Sequence, residues 1–312
     1  MQEKFHYYLQ NNIACIVISN FDATKLEVYS LQEAKEAGIF FSINHNKPYT
    51  KHTLTLQKEP VAFEHYKERF AKVIEHIKAG NTYLLNLTQP TKIQTKASLQ
   101  EIYEKTNATY KIKYKDQFVC FSPESFVQVS KDGKIATYPM KGTIDATLPN
   151  ALQQILNNQK EMAEHVMVVD LLRNDLGIIA SHVKVERFRY PITVQTNTKT
   201  LLQISSKITA KLAQNWQEEF ATKFTQLLPA GSITGTPKKK TTQLIKEIEG
   251  YERGFFTGVF GYFDGKSFDS CVMIRFIEKT PQGLVYKSGG GITLESDALA
   301  EYNELLDKVY LP

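Results

Sequence analysis

The stretch "QFVCFSPESFVQVSKDGKIATYPMKGT", residues 117–143, contains three short runs rich in Val, Ile, Phe and Thr, which are typical of β-strands. An Asp-Gly pair at 132–133 separates the second run from the third and favours a tight hairpin turn. Strands joined by so short a turn pair in antiparallel fashion. The stretch therefore predicts an antiparallel sheet. It ends in a turn-like segment with a lysine, Lys141, where a solvated side chain would be the ordinary expectation.

Helical and strand-like patterns alternate on both sides of this stretch. Residues 61–79 place apolar side chains along one helical stripe. Further helical patterns occur at 98–106, 151–176, 218–228, 237–249 and 297–309, and strand-like runs at 82–89, 183–188, 192–197, 200–208, 255–263, 268–278 and 283–289. Residues 1–60 read less conclusively as short strands and loops. The alternation predicts one α/β (α+β) domain over residues 1–312 with mostly antiparallel sheets.

The composition is that of an ordinary globular protein and argues against several function classes. Of 312 residues, 42% are hydrophobic and 23% are charged. Cys15, Cys120 and Cys271 lie far apart, which argues against a disulfide framework or a zinc site. The net charge of +5 suits an anionic substrate, but the lysines are scattered. We expect a soluble cytoplasmic protein that binds neither nucleic acid nor a membrane, since no motif for either is present.

Two expected helices each carry a pair of glutamates three residues apart, Glu161 with Glu164 and Glu301 with Glu304. This spacing puts both carboxylates of a pair on one face of the helix. In the first helix that face continues into apolar residues, so the acids would lie near the core and need a compensating cation. Carboxylate oxygens favour Mg²⁺. The pairs could equally be solvated helix edges, with Lys308 forming a surface ion pair with Glu304.

Two glycine-rich segments could bring backbone N–H groups close to an anion. "GSITGTPKKK", residues 231–240, precedes a helix whose first position is expected at Pro237, and a helix N-terminus favours anions. "SGGGI", residues 288–292, has three consecutive glycines, which remove every side chain there. A capped loop and a tight turn remain open as purely structural explanations.

These motifs, in this order, resemble the chorismate-utilising enzyme family. The matching stretches are "GNTYLLNLTQ" at 80–89, "SPESF" at 122–126, "YPMKGT" at 138–143, "EMAEHVMVVDLLRNDLG" at 161–177, "PAGSITGTPK" at 229–238, "RGFFTGVFGY" at 253–262, "MIRF" at 273–276, "SGGGI" at 288–292 and "EYNELLDKV" at 301–309. The resemblance implies a single domain in which two large, mostly antiparallel sheets pack together and are flanked by helices.

Two positions distinguish the branches of this family. Members that form anthranilate or salicylate have an alanine where Lys141 stands, whereas the branch that forms aminodeoxychorismate has a lysine there. Members that form isochorismate or salicylate have a general-base lysine where this chain has Leu84. Both positions therefore imply the branch that aminates chorismate at C4, a step toward p-aminobenzoate and folate.

In that branch the resemblance implies covalent catalysis. Lys141 would attack C2 of chorismate, and Glu124 would protonate the departing C4 hydroxyl. An amine attacks only in its neutral form, so this role requires desolvation or nearby positive charge. Ammonia would then add at C4 and expel the lysine. This chain has no recognisable glutaminase motif, so the ammonia is expected from a separate glutamine amidotransferase subunit.

The resemblance also implies a metal site and a substrate site. Glu164 and Glu304 would bind Mg²⁺, with Glu161 and Glu301 in its first or second shell. The residues expected to bind the substrate are Thr143, Arg275, Gly289, Gly291 and Lys308. Arg275 suits a carboxylate because its guanidinium can donate two parallel hydrogen bonds.

Three departures from the family pattern affect the expected substrate contacts. Gln203 replaces a histidine, Phe256 replaces a tyrosine, and Leu84 replaces the glutamine more usual in amine-adding members. Glutamine keeps a hydrogen-bond donor but cannot titrate. Two alternatives stay open: an anthranilate synthase component I, and a non-catalytic regulatory subunit that binds chorismate.

Overall fold

The computed structural model describes residues 1–43, 54–195 and 199–311. The expected N-terminal part, residues 1–60, and the strand expected at 192–197 therefore lie partly outside the described residues, as does Pro312. The helices are α1 Gln2–Gln10, α2 Leu31–Glu36, α3 Phe63–Lys78, α4 Leu99–Lys105, α5 Ala151–Asn157, α6 Gln159–Ile179, α7 Phe220–Gln226, α8 Lys238–Glu249 and α9 Ala298–Asp307.

The strands are β1 Cys15–Ser19, β2 Leu26–Ser30, β3 Ile39–Ile43, β4 Gln57–Glu59, β5 Leu84–Gln94, β6 Tyr110–Tyr114, β7 Phe118–Ser122, β8 Ser125–Val129, β9 Lys134–Thr137, β10 Met140–Asp145, β11 Ser181–Gln195, β12 Thr200–Lys211, β13 Gly235–Thr236, β14 Val259–Phe263, β15 Phe268–Val272, β16 Phe276–Thr280 and β17 Gly283–Ile292. Within the described ranges, no helix is long and apolar enough to cross a membrane.

The chain forms two compact units, each built around one antiparallel sheet. The first unit comprises Met1–Ala34, Glu124–Ser232 and Gly258–Val272. Its sheet has the order β10-β12-β9-β8-β15-β14-β1-β2, with β11 also paired to β12. The second unit comprises Lys35–Pro123, Ile233–Thr257 and Met273–Pro312. Its sheet has the order β13-β5-β17-β16-β7-β6-β3, with β4 also paired to β5. The expectation of two large antiparallel sheets with flanking helices is confirmed.

The hairpin expected at residues 132–133 is present. β8 and β9 pair antiparallel around the turn at Asp132 and Gly133, and Gly133 has a φ of 77°. The left-handed conformation there favours glycine because it has no Cβ. The helix expected at 61–79 is α3, and the helical pattern at 151–176 is divided into α5 and α6.

The N-terminal segment differs from the expectation of strands and loops only. Residues 2–10 form α1, and residues 31–36 form α2. Phe5 and Leu9, four residues apart, lie on one face of α1, and both are fully buried. The Phe5 ring lies 5.9 Å from that of Phe224 and 6.0 Å from that of Phe268, so α1 completes an aromatic core in the first unit.

The single strand expected at 268–278 is also wrong. It is two strands, β15 in the sheet of the first unit and β16 in that of the second. The break falls at 273–275, where Arg275 has a φ of 55°. A non-glycine residue rarely adopts this left-handed conformation, and it cannot continue a strand. The strand expected at 255–263 is also shorter than predicted, because β14 begins only at Val259.

Candidate active site

Lys141 lies in a β-bulge of the first unit. β10 pairs with β12 through Met140 opposite Ser205 and Thr143 opposite Gln203, and the register shifts between these two pairs. Three steps along β10 thus match two steps along β12, so β10 carries one extra residue here. A bulge bends the strand and re-aims its side chains, and bulges are frequent next to active sites. The structure therefore places the half-buried Lys141 outside the regular ladder.

Helix α6 lies directly against this bulge. Gly142 has a φ of 86°, and a Cβ there would lie 3.2 Å from Oε2 of Glu161 and 3.3 Å from Cδ1 of Ile155. The backbone conformation favours glycine, and the close approach leaves little room for a side chain. The structure thus brings Glu161, one of the predicted metal ligands, to the strand of the predicted nucleophile.

Glu164 and His165 lie on the buried face of the same helix. The apolar stripe in the sequence predicted this position for Glu164. Glu164 is 8% exposed, and its Oε1 lies 3.9 Å from Nζ of Lys160. Burial lowers the pKa of His165 to about 4, and the positive charges of Arg189 and Lys141 act in the same direction. His165 is therefore a neutral imidazole near pH 7.

Glu124, the predicted general acid, immediately precedes β8 and is half-buried in the first unit. The hydroxyl of Ser232 donates a short hydrogen bond to its Oε1 at 2.5 Å. The Glu124 carbonyl accepts a hydrogen bond from the Val272 N–H at 3.1 Å. Both the backbone and the carboxyl of Glu124 are therefore held in place, and Ser232 is a contact that sequence reasoning did not identify.

The 231–240 loop has a different structural role from the one its glycine content suggests. Gly235 belongs to β13 and pairs with Leu85 of β5. A Cβ at Gly235 would collide with the carbonyl of Leu84, so glycine is required for this strand pairing. α8 begins at Lys238, and Pro237 is its N-cap residue rather than its first helical residue.

In the second unit, α9 carries Glu301 and Glu304, and Lys308 is its C-cap residue beside the glycine-rich end of β17. Glu301 is 4% exposed, and its Oε1 accepts a hydrogen bond from Ser296 at 2.7 Å. Nζ of Lys308 lies 2.7 Å from Oε1 of Glu304 and donates to the Gly289 carbonyl at 2.9 Å. The expected ion pair of Glu304 with Lys308 is therefore present, and it also reaches the glycine segment.

The triple glycine lies within strand β17 and not in a tight turn. β5 pairs along β17 as far as Ile292, whereas β16 pairs with it only as far as Lys287. Gly289 and Gly291 are thus beyond the end of the β16 pairing. A Cβ at Gly289 would lie 2.4 Å from the Leu87 carbonyl, so this approach of two backbones requires glycine.

Arg275 belongs to the same group of residues in the second unit. Its Nη1 donates to the Lys308 carbonyl at 2.8 Å, and its guanidinium lies 4.5 Å from the centre of the Tyr310 ring. Its backbone has the positive φ already noted, which costs free energy and is typical of functional sites. The structure therefore brings together Arg275, Lys308, Glu304 and Gly289, four of the predicted site residues.

The three departures from the family pattern have distinct environments. Nε2 of Gln203 donates to Oγ1 of Thr143 at 3.3 Å, so the glutamine contacts a predicted substrate-binding residue. Leu84 is 1% exposed, and Phe256 is 2% exposed and lies 5.8 Å from the Phe276 ring. The last two are core residues in this chain.

The carboxylates fit Mg²⁺ in chemistry but form no complete set of ligands. Within the described part of the chain, no group of three or more His, Cys, Asp or Glu side chains could hold a metal ion. α6 and α9 each supply two glutamates, one of them buried. Mg²⁺ is typically bound by one or two carboxylates with water and substrate oxygens, so each pair is chemically suitable. The Mg²⁺ site stays a prediction.

A buried ion pair in the second unit was missed by sequence reasoning. Arg253 and Glu249 are 2% and 0% exposed, and Nη2 lies 2.6 Å from Oε1. Arg253 also donates to the carbonyls of Asn86 and Ile233 at 2.7 and 3.0 Å. The pair therefore connects β5 to the 231–240 loop. The spacing of four residues between Glu249 and Arg253 is a signal of an ion pair on a helix face. It does not reveal burial, because exposed ion pairs have the same spacing.

Comparison with known proteins identifies the class. A family model described as "chorismate binding enzyme" matches residues 6–311. The chain therefore belongs to the chorismate-binding enzyme family, whose members are chorismate-utilising enzymes.

Among its relatives, the chain is 46% identical to an "Uncharacterized PabA-like protein" of Haemophilus influenzae over 99% of its own length and 95% of that protein. It is 33% identical to aminodeoxychorismate synthase component 1 of Salmonella typhimurium over 78% of its length and 56% of that protein. It is 29% identical to anthranilate synthase component 1 of Bacillus subtilis over 98% of its length and 59% of that protein. The chain thus spans little more than half the length of these two synthases.

Solved structures share the fold at low sequence identity. Anthranilate synthase component I of Streptococcus pneumoniae matches with a TM-score of 0.73 at 20% identity, over 98% of this chain and 84% of that one. The menaquinone-specific isochorismate synthase of Escherichia coli matches with a TM-score of 0.75 at 17% identity, over 98% of this chain and 80% of that one.

Proposed function

We propose that the protein is an aminodeoxychorismate synthase component I, which converts chorismate and ammonia to 4-amino-4-deoxychorismate and water. The observation that carries this proposal is the position of Lys141 in the β10 bulge, within the unit that also holds Glu124. The relative from Salmonella typhimurium named for this activity supports it. Leu84 supports it as well, because a buried leucine cannot activate water for an isochorismate-type reaction.

The proposed reaction has two substitution steps. In the first, the neutral amine of Lys141 forms a bond to C2 of chorismate, both ring double bonds shift, the C4–oxygen bond breaks, and the attacking nitrogen gives up one proton to solvent. Glu124 gives its proton to the departing hydroxyl, which leaves as water. In the second, ammonia forms a bond to C4, both double bonds shift back, and the bond between C2 and the lysine nitrogen breaks as that nitrogen takes up a proton. The added nitrogen gives up a proton, which returns Glu124 to its protonated form. Lys141 is regenerated, and covalent catalysis has divided one difficult substitution into two easier ones.

The short contact between Ser232 and Glu124 supports the acid role. A proton donor must stay in one place relative to the leaving oxygen, because misplacement of a catalytic group is costly in rate. Ser232 fixes one carboxyl oxygen of Glu124 in position. Glu124 is also half-buried, which is expected for a group that must carry a proton near neutral pH.

The substrate carboxylates are proposed to bind to Arg275 and Lys308, with backbone N–H groups of Gly289 and Gly291 and the hydroxyl of Thr143. Arg275 is anchored through one nitrogen to the Lys308 carbonyl, which leaves donors of the guanidinium for a carboxylate. Lys308 presents its ammonium beside the glycine backbone of β17. This arrangement favours an anionic ligand at that end of the strand.

We further propose that Glu161, Glu164, Glu301 and Glu304 hold Mg²⁺, which would neutralise charge on a substrate carboxylate. We expect chelation with EDTA to abolish turnover and added Mg²⁺ to restore it. Glu164→Gln should raise the Mg²⁺ concentration for half-maximal activity about tenfold or more, because one ligand charge is lost. Glu186→Gln, on exposed strand β11, is the matched control. Full activity in EDTA would contradict the metal proposal.

Ammonia is proposed to come from a separate glutamine amidotransferase subunit, and the product to feed p-aminobenzoate and folate synthesis. The deciding experiment incubates the purified chain with chorismate, Mg²⁺ and ammonium, so that no partner is needed. Mass spectrometry and chromatography against standards then identify the product. We expect 4-amino-4-deoxychorismate. Anthranilate or isochorismate would refute the proposal, and chorismate binding without turnover would favour a regulatory subunit.

A further inference from the structure

The guanidinium of Arg275 is held by the residues that directly follow helix α9. Its Nη1 donates a hydrogen bond to the Lys308 carbonyl at 2.8 Å, and the guanidinium carbon lies over the Tyr310 ring, 4.5 Å from its centre. An aromatic face attracts a cation through its π electrons. The ring therefore holds the guanidinium without accepting a hydrogen bond at nitrogen or oxygen, so the other N–H donors of Arg275 remain for a ligand.

The neighbours of Tyr310 keep its ring beside Arg275. Val309 and Leu311 are buried and belong to a hydrophobic core cluster that also contains Tyr286 of β17. Tyr310 lies between them in the chain and is only half-buried. Because both neighbours are anchored in the core, the backbone at Tyr310 is fixed, and its ring stays at the guanidinium.

The backbone of Arg275 requires such support. Its φ of 55° lies in the left-handed region, which is unfavourable for a residue with a side chain. Such a conformation persists only where several contacts hold it. The Arg275 carbonyl accepts a hydrogen bond from the Phe121 N–H of β7 at 3.0 Å, which fixes the backbone. The Lys308 carbonyl and the Tyr310 ring fix the side chain, so each part of this arginine has its own contact.

Arg275 and Lys308 differ in the partners of their charges. Nζ of Lys308 forms an ion pair with Glu304 at 2.7 Å and donates to the Gly289 carbonyl. Among the residues that the structure describes, no carboxylate pairs with Arg275. A half-buried cation without a counter-ion is stabilised by an anion. The orientation of Arg275 therefore determines how well it can receive a ligand carboxylate.

We propose that Tyr310 is a positioning residue, whose ring holds the guanidinium of Arg275 in the orientation that binds a carboxylate of the substrate. A side chain that is already in its binding conformation loses less freedom when the ligand arrives, which raises the affinity. Tyr310 acts through Arg275 and needs no contact with the substrate itself. The inference rests on the proposed function in one respect, that Arg275 binds a carboxylate of chorismate.

The test measures the Kd for chorismate by isothermal titration calorimetry with Mg²⁺ and without ammonium, so that no amination takes place. Tyr310→Leu removes the aromatic face, whereas Tyr310→Phe keeps it and removes only the hydroxyl. Arg275→Met removes the cation, alone and combined with Tyr310→Leu. Tyr103→Leu is the matched control. Tyr103 is a half-buried tyrosine of the same unit, and its ring centre lies 4.6 Å from Nζ of Lys111, which is not a predicted site residue.

We expect Tyr310→Leu to raise the Kd about fivefold, because a cation–π contact at a partly exposed site is lost. Tyr310→Phe and Tyr103→Leu should stay within about twofold of the wild type. Arg275→Met should raise the Kd about twentyfold or more, since charged hydrogen bonds to the carboxylate are lost. In the Arg275→Met background, Tyr310→Leu should raise the Kd less than about 1.5-fold further, because its effect is transmitted by the guanidinium.

Three results in the Tyr310 variants would overturn the proposal: an unchanged Kd in Tyr310→Leu, an equal loss in Tyr310→Phe, or a full effect of Tyr310→Leu in the Arg275→Met background. An unchanged Kd in Arg275→Met alone would also overturn it. If Tyr310→Leu does not fold, Tyr310→Met replaces it with the same expected effects. Binding is measured without identifying a product, so a product other than 4-amino-4-deoxychorismate would refute the proposed function and leave this test decisive.

Discussion

Replacing Lys141 with alanine is expected to lower the rate of 4-amino-4-deoxychorismate formation about 1,000-fold or more. The substitution removes the proposed nucleophile, so the proposed covalent route would be closed and about 4 kcal/mol or more of transition-state stabilisation would be lost. Chorismate should still bind, with Kd changed less than about threefold, because the proposed carboxylate contacts are made by other residues. Steady-state kinetics with ammonium measures the first quantity, and isothermal titration calorimetry measures the second.

Lys131→Ala is the matched control for this substitution. Lys131 is an exposed lysine of the same unit, at the β8–β9 turn, and its backbone carbonyl contact with Trp216 does not depend on its side chain. Its rate should equal that of the wild type. If Lys141→Ala still forms the product at the wild-type rate, Lys141 is not the nucleophile.

Arg253→Met is expected to lower the free energy of unfolding by about 3–5 kcal/mol. The substitution leaves the Glu249 carboxylate buried without its counter-ion, and two backbone carbonyls lose a donor. Urea denaturation followed by circular dichroism measures the change. This is the largest stability effect expected from any single change discussed, because a buried charge without a partner is more costly than a lost surface contact.

A second pair with the same spacing provides the control. Lys223 and Glu219 are also four residues apart, but their side chains are 25% and 62% exposed. Double-mutant cycles should give a coupling energy of about 0.5 kcal/mol or less for this pair and more than about 1 kcal/mol for Arg253 with Glu249. Equal coupling energies, or a loss below about 1 kcal/mol in Arg253→Met, would contradict the structural role assigned to the buried pair.

Features that depend on local spacing were predictable from the sequence. Glu161 and Glu164 share a helix face because an α-helix fixes the relation between positions three apart. The Asp132-Gly133 hairpin followed from the backbone preferences of two residues. The acids of the first helix were expected near the core, and Glu164 is buried there, whereas Glu161 is only half-buried. The burial of Glu301 in the second helix was not predicted.

Features that depend on distant partners were not predictable in the same way. The bulge at Lys141 exists because β12, some sixty residues further along the chain, pairs out of register with β10. The strand expected at 268–278 was divided because its halves pair in different sheets, and alternation of apolar residues does not encode the partner. His165 and Arg253 were missed because a buried polar side chain is recognisable only when its hydrogen-bond partners are known.

The bulge in β10 has a consequence for how new reactions arise on this fold. Because of the bulge, Lys141 is outside the regular pairing of its strand and has no directly opposite residue in the β10–β12 register. Exchange of this one side chain should therefore alter chemistry at little cost in stability, in contrast to most residues near an active site. Gly142, Ile155 and Glu161 fix the shape of the backbone there independently of which side chain it carries. The backbone at this position of the chain can therefore present different side chains in the same place.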